Sequence, residues 1–195
     1  MKKLYFITGN KGKYIEAKEK FSELNIEIIQ KNLGYPEIQS DSLESVAIYG
    51  VEDIQKRFDK PFFLEDAGLF IDSLNGFPGV YSAFVFYKIG CLGILKLMEE
   101  LKNNKRKACF KSVMAFKEPN SGIKLFIGES RGTISEKLKG ENGFGYDPIF
   151  IPENEKRTFG QMETKEKNLF SHRGKSLIKL IDYFKNNEIE NFKSL

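Results

Sequence analysis

Tryptophan is absent from this chain of 195 residues, cysteine occurs twice and histidine once. Cys91 and Cys109 lack the spacing of a metal-binding motif, and a secreted scaffold of stapled loops would carry more of them. They read as small core or half-buried residues of a reducing compartment. Long apolar runs are missing too, so no segment reaches the length of a membrane span. The opening MKKLYFITGN has two lysines and a short apolar run, but Asn10 and Lys11 end that run too early for a signal peptide. Together these absences predict a cytoplasmic protein.

Charge of one sign is not in great excess. The chain carries 31 basic and 27 acidic residues, a formal net charge of +4. Such a balance favours solubility and supplies no clustered basic face, so no nucleic-acid partner is expected. The densest basic string, KNNKRK at 102–107, reads as a solvated loop between a helix and a strand. A Walker A loop and a GxGxxG fingerprint are both missing, which argues against the P-loop and dinucleotide-binding classes. Internal repeats, low-complexity tracts and linkers are missing as well, so residues 1–195 are read as one domain. A hydrophobic share of 41% and a charged share of 30% are enough for a core that needs no staples.

What is present begins with alternating elements. Leu4 to Thr8 is a short apolar run closed by Gly9-Asn10, after which Tyr14, Ala17, Phe21 and Leu24 recur at helical spacing. Ile26 to Ile29 resumes a strand that Gly34-Tyr35-Pro36 breaks. Leu43, Val46, Ala47, Val51, Ile54 and Phe58 mark a second helix with Ser42 as its N-cap. Pro61 to Leu64 is a buried-type strand running into Glu65-Asp66, which puts both carboxylates at its C-terminal end, where ligands of open α/β sheets gather. A helix is expected over Leu92 to Leu101. Strands at Lys107–Phe116 and Ile123–Gly128 form a hairpin across Glu118 to Gly122. Short strands follow at Thr133–Leu138 and Ile149–Ile151, and Leu177, Ile178, Ile181 and Phe184 define a last helix. The pattern predicts an α/β fold: a mixed sheet with helices packed on it.

Three polar, glycine-rich clusters at the ends of apolar runs are where function is expected. In TGNKGK, a strand gives way to a helix, whose unpaired amides and dipole can hold an anion; Gly9 and Gly12 permit close approach, Lys11 and Lys13 supply charge, and Thr8 and Asn10 supply hydrogen bonds. Alone, the string is equally an ordinary glycine turn. Glu65 and Asp66 are neighbours at a strand end, so their side chains point to opposite faces and only one readily faces a cleft. In FGYDP, Phe144, Gly145, Tyr146 and Asp147 put two rings and a carboxylate in one loop, a core plug as readily as a base pocket. EKNLFSHR adds Lys167, Ser171, His172 and Arg173.

Taken together, TGNKGK, GYPEIQ, EDAGLF, NGFPGVYS, GFGYDPIF and EKNLFSHR resemble, in order and over nearly the whole chain, the inosine triphosphate pyrophosphatase (Ham1-like) family. The resemblance implies an elongated, twisted sheet in two lobes with a central cleft, and hydrolysis of ITP, dITP and XTP to monophosphate and pyrophosphate. It implies that Thr8, Asn10 and Lys13 contact the triphosphate and that Asp66 is catalytic. Asp66 and Glu37 would hold Mg2+. Phe144 would stack on the purine, Asp147 would order the pocket or meet the base edge, and Lys167, His172 and Arg173 would read the base. A homodimer is also implied. Three departures stand out: Ala67 follows Asp66 where relatives often place a hydroxyl, and Gly160 and Gln161 replace a common alanine and an acidic residue, which is expected to weaken support of the pocket. A Maf-like pyrophosphatase of other base preference and a non-catalytic nucleotide-binding module are the alternatives.

Overall fold

The computed structural model describes residues 2–22, 24 and 26–193. Strand β1 (Lys2–Ile7) leads into α1 (Lys11–Lys20), where the Asn10 side chain accepts from the Lys13 amide and starts the helix. β2 (Ile26–Lys31) returns parallel to β1. α2 (Leu43–Ile54) starts at Ser42, whose hydroxyl accepts from the Ser45 amide, as the sequence predicts. β3 spans Phe62–Ile71 and β4 is the short pair Pro78–Gly79. α3 (Ser82–Leu97), β5 (Lys107–Lys117), β6 (Lys124–Ile134), β7 (Phe150–Pro152), α4 (Thr164–Phe170) and α5 (His172–Lys193) complete the order.

Among the described residues the sheet has seven strands in the order β2-β1-β3-β5-β6-β7, with β4 on β3. β1 is parallel to both neighbours and the remaining pairs are antiparallel. Three buried clusters hold it. Phe6, Ala17, Phe21, Phe63 and Leu177 pack α1 and α5 on one face, and Leu43, Val51, Ile54 and Leu64 pack α2 on the other. Leu69, Val85, Ile94, Phe150 and Phe159 build the second lobe around α3.

Three elements differ from expectation. β3 does not stop at Glu65-Asp66 but runs through them to Ile71, because β5 pairs with it along its whole length. α3 starts ten residues before Leu92 and breaks at Gly90, whose φ of 60° and ψ of −166° suit glycine alone. Its first half is too apolar all round to show a helical period. β6 is one strand where two were expected; Glu129 and Arg131 face out while Gly128 and Ser130 face in, a period of two that outweighs the polar composition. Gly128 also matters for placement, since a Cβ there would collide with the His172 carbonyl oxygen and bar the start of α5 from β6.

Candidate active site

A cleft of about 480 Å³ separates the lobes. At one end the β1–α1 turn brings Thr8, Gly9, Asn10 and Lys13 to its wall. Thr8 Oγ1 accepts from the Asn10 amide at 3.1 Å, and Asn10 Oδ1 accepts from the Lys13 amide at 3.0 Å, so the turn is set before any ligand arrives. The positive end of the α1 dipole and the Lys13 ammonium favour an anion there. Lys11 is exposed and, with Gly12, lies outside the cleft lining.

Beneath the cleft a buried charge network runs from Lys13 and Glu65 to Lys167 and Asp147. Arg173 Nε donates to Glu65 Oε2 at 2.8 Å and its Nη1 to Glu16 Oε2 at 2.6 Å. Lys167 Nζ donates to Glu16 Oε1 at 2.8 Å and to Asp147 Oδ2 at 2.6 Å. Lys13 Nζ stands 3.4 Å from Glu65 Oε2, and Ser112 Oγ donates to Glu65 Oε1 at 2.6 Å. Three carboxylates therefore meet three cations, and the network is neutral. Burial alone would raise Glu65, but Arg173 and Lys13 outweigh it and hold the carboxyl far below its usual range. At Glu16 burial is likewise outweighed, here by Arg173 and Lys167. Neither cation uses all its N–H groups on these partners, so both can still donate into the cleft.

Asp66 is treated differently. Its Oδ1 accepts from the Ala67 amide at 3.0 Å, while its Oδ2 has no hydrogen-bond partner. Burial drives its pKa from 3.8 to about 7; Lys13 pulls against the rise, and the charges of Glu37 and Glu65 add to it. Both Glu65 and Asp66 line the cleft. The expectation that only one of them would face the cleft therefore fails. Glu37, exposed on the loop before α2, lines the same space, as does Tyr35, whose ring is seated where Gly50 has no side chain. Burial and then Asp66 and Glu37 push the Tyr35 phenol far above its usual value, leaving it a hydrogen-bond donor.

At the other end, Phe144, Gly145, Tyr146, Asp147, Lys167, His172 and Arg173 line the wall together. Tyr146 is buried, donates to the Ser82 carbonyl at 3.1 Å and meets Phe86 edge-on, so its ring fixes α3 to the loop. Asp147 Oδ2 also accepts from the Phe144 amide at 2.7 Å. Burial lifts the Asp147 pKa, and Lys167 offsets part of the rise. His172 stacks on Phe110 with ring centroids 4.5 Å apart, and burial, then Arg173, pull its pKa well below 6.5. The ring is neutral, and its Nδ1 has no partner. Ser171 Oγ accepts from the Gly174 amide, which shapes the start of α5.

Of the three departures, Ala67 lines the cleft, whereas Gly160 and Gln161 fall away from it. Gln161 is exposed and closes a capping box with Thr158, whose hydroxyl donates to the Lys139 carbonyl. Gly160 lies against Lys139 and Pro148. KNNKRK also differs from the solvated loop expected, because Arg106 is buried and donates to the carbonyls of Met98, Leu101, Ile134 and Ser135. The residues that sequence reasoning passed over are Glu16, Tyr35 and Ser112.

Comparison with known proteins places this geometry. A dITP/XTP pyrophosphatase of Thermococcus kodakarensis is 49% identical over 95% of this chain and 98% of its own. One of Methanopyrus kandleri is 51% identical over 95% and 97%. The solved structure of a HAM1 protein from Coxiella burnetii superposes with a TM-score of 0.80 at 29% identity, covering 95% of this chain and all of that one. The sequence profile of the Ham1 family matches residues 4–183, and the chain belongs to that family.

Proposed function

We infer that the chain hydrolyses non-standard purine nucleoside triphosphates, ITP, dITP and XTP, to the monophosphate and pyrophosphate. The observation that carries this reading is the cleft itself, with a helix N-terminus and Lys13 beside the unpaired carboxylate of Asp66 at one end and the Lys167–Arg173 donors at the other. The names of the two archaeal relatives support the same substrates.

A divalent cation fits here. Asp66 has an unpartnered Oδ2 and a pKa raised by burial, both of which a cation would relieve, and Glu37 lines the same space. Among the described residues no group of three His, Cys, Asp or Glu forms a metal cage. That suits Mg2+, which takes one or two protein carboxylates and completes its shell with water and phosphate oxygens. When bound, it would neutralise phosphate charge and polarise the attacking water.

The chain's own residues do the rest. Thr8, Asn10 and Lys13, which line the cleft at the start of α1, hold the triphosphate in line. Water attacks the α-phosphorus, the bond from that phosphorus to the bridging oxygen breaks, and pyrophosphate leaves. Asp66 is placed to hold the cation, to take a proton from the water, or both. At the base end Lys167, Arg173 and the neutral His172 offer donors to a 6-keto oxygen. Adenine brings an amino donor to that point and leaves them unpaired, a cost large enough to discriminate strongly. Phe144 offers the stacking surface.

A homodimer is part of this reading, and light scattering tests it. No helix among the described residues is long and apolar enough to cross a membrane, and both cysteines are free, which supports a cytoplasmic enzyme. The test of function is release of pyrophosphate and monophosphate across a panel of purine and pyrimidine triphosphates, with and without magnesium. Preference for ITP and XTP over ATP is expected. Preference for a pyrimidine would favour the Maf-like reading, and no turnover at all would leave a binding module.

A further inference from the structure

We propose that Gly12, although it belongs to the phosphate loop, is a positioning residue for the base: it seats the Phe144 ring, and that fit contributes to selectivity for the keto purine. The proposal rests on the substrate reading above.

Gly12 lies in the first turn of α1, yet it is absent from the cleft wall that Gly9, Asn10 and Lys13 line around it. Nothing in the local backbone calls for glycine, because the residue is helical and alanine is the better helix former. The neighbour across the gap does call for it. A Cβ on Gly12 would stand 2.5 Å from Phe144 Cδ1 and 2.7 Å from Cε1, well inside carbon–carbon contact distance. The ring thus rests in a place that only the missing side chain leaves open.

The same ring also faces the cations of the base pocket. Lys167 Nζ lies 4.9 Å from its centroid and the Arg173 guanidinium carbon 5.2 Å, both within cation–π range. Its backbone is tied in by the bond from the Phe144 amide to Asp147, which in turn holds Lys167. Phe144 therefore bridges the helix that receives phosphate and the two donors that face the base. A ring pushed off Gly12 changes the stacking surface and the setting of those donors together. A keto purine, which uses both, loses more than adenine, which gains nothing from the donors.

Gly12→Ala is the test, since its methyl displaces the ring while favouring the helix. Wild-type protein must first release pyrophosphate from ITP with magnesium; if it does not, the substrate reading falls and this inference with it. With that activity in hand, calorimetry measures the two products separately, because inosine monophosphate carries the base and pyrophosphate carries only phosphates. In Gly12→Ala the affinity for inosine monophosphate should fall about tenfold, the scale of a lost aromatic contact, while that for pyrophosphate stays within about twofold. The ratio of kcat/KM for ITP to that for ATP should fall with it. In a Phe144→Leu background, where no ring remains to displace, adding Gly12→Ala should change inosine monophosphate binding by less than about twofold. Equal weakening of both products, or a tenfold loss that persists in the leucine background, overturns the proposal and returns Gly12 to phosphate binding. Unchanged inosine monophosphate binding in a folded Gly12→Ala overturns it as well.

Discussion

In the network beneath the cleft every buried carboxylate has a cation against it, whereas Asp66, on the cleft wall, accepts a hydrogen bond only from the amide of its own neighbour. Glu65 and Asp66 are adjacent in one strand, yet burial is outweighed at the first and prevails at the second. The difference lies in what each element places opposite them. α5 delivers Arg173 to Glu65, while at Asp66 burial prevails over the pull of Lys13 and the charge of Glu37 adds to the rise. A network neutralised in advance keeps its geometry without a ligand and can discriminate by shape and donor position. A carboxylate left unpaired holds a cost that a cation or a proton relieves, which is the usual condition of a group that reacts.

Asp66→Asn breaks that contrast most severely. Turnover of ITP should fall by roughly 10²- to 10⁴-fold, whether the loss is of the cation or of a base. The melting temperature should not fall with it, because the charge removed is one that burial disfavours. Wild-type turnover with magnesium would falsify the assignment.

Glu16→Gln attacks the neutralised network instead. Lys167 and Arg173 would lose a shared buried counter-charge, and breaking such a pair costs about 3 kcal/mol, or roughly 6–12 °C in melting temperature for a chain of this size. Calorimetric melting checks it; a variant that melts with the wild type would mean that neutralisation is not what holds the network.

The sequence disclosed these two regions unequally, for reasons visible in the residues. β1, α1, β2 and α2 were legible because their apolar positions repeat cleanly and Ser42 is a strong cap. The run of β3 past Asp66 was hidden by its polar letters, since pairing with β5 decides it. The motif strings gave Thr8, Asn10, Lys13, Asp66, Asp147, Lys167, His172 and Arg173, which the fold gathers around one cleft. Glu16 was hidden because a glutamate beside Ala17 reads as a solvated helix position. Its partners lie 151 and 157 residues away, and no local signal announces them.

Neighbouring carboxylates with opposite shifts should also show opposite pH linkage. Asp66 titrates near 7 when folded against an ordinary 3.8, so the stability it contributes is present below about pH 4 and is lost as pH rises to about 7. Glu65 is depressed, so its contribution is present above the ordinary carboxylate range and lost as pH falls. In EDTA, the melting temperature of Asp66→Asn should pull ahead of wild type between pH 4 and 7, by the equivalent of about 4 kcal/mol, and hold that lead above pH 7. Magnesium should close the gap by favouring the ionised aspartate. A gap that is constant from pH 4 to 9 would mean that Asp66 is not perturbed.

The smallest expected effect sharpens the comparison within the phosphate end itself. Glu37 is exposed on a loop, where solvent screens its charge and where it lacks the enclosed setting of Asp66. Glu37→Gln removes one candidate ligand and, with it, one of the charges that raise Asp66. The two consequences oppose each other: the cation is held less tightly, but Asp66 ionises more readily. The apparent affinity for magnesium should therefore weaken about tenfold, the scale of one lost contact to a metal ion, while kcat at saturating magnesium stays within about twofold. The acid limb of kcat should move to slightly lower pH. Activity measured over a magnesium series from pH 6 to 9 separates these effects. If Glu37→Gln instead loses as much kcat as Asp66→Asn at every magnesium concentration, the division of labour is wrong, and Glu37 rather than Asp66 takes the proton from the water.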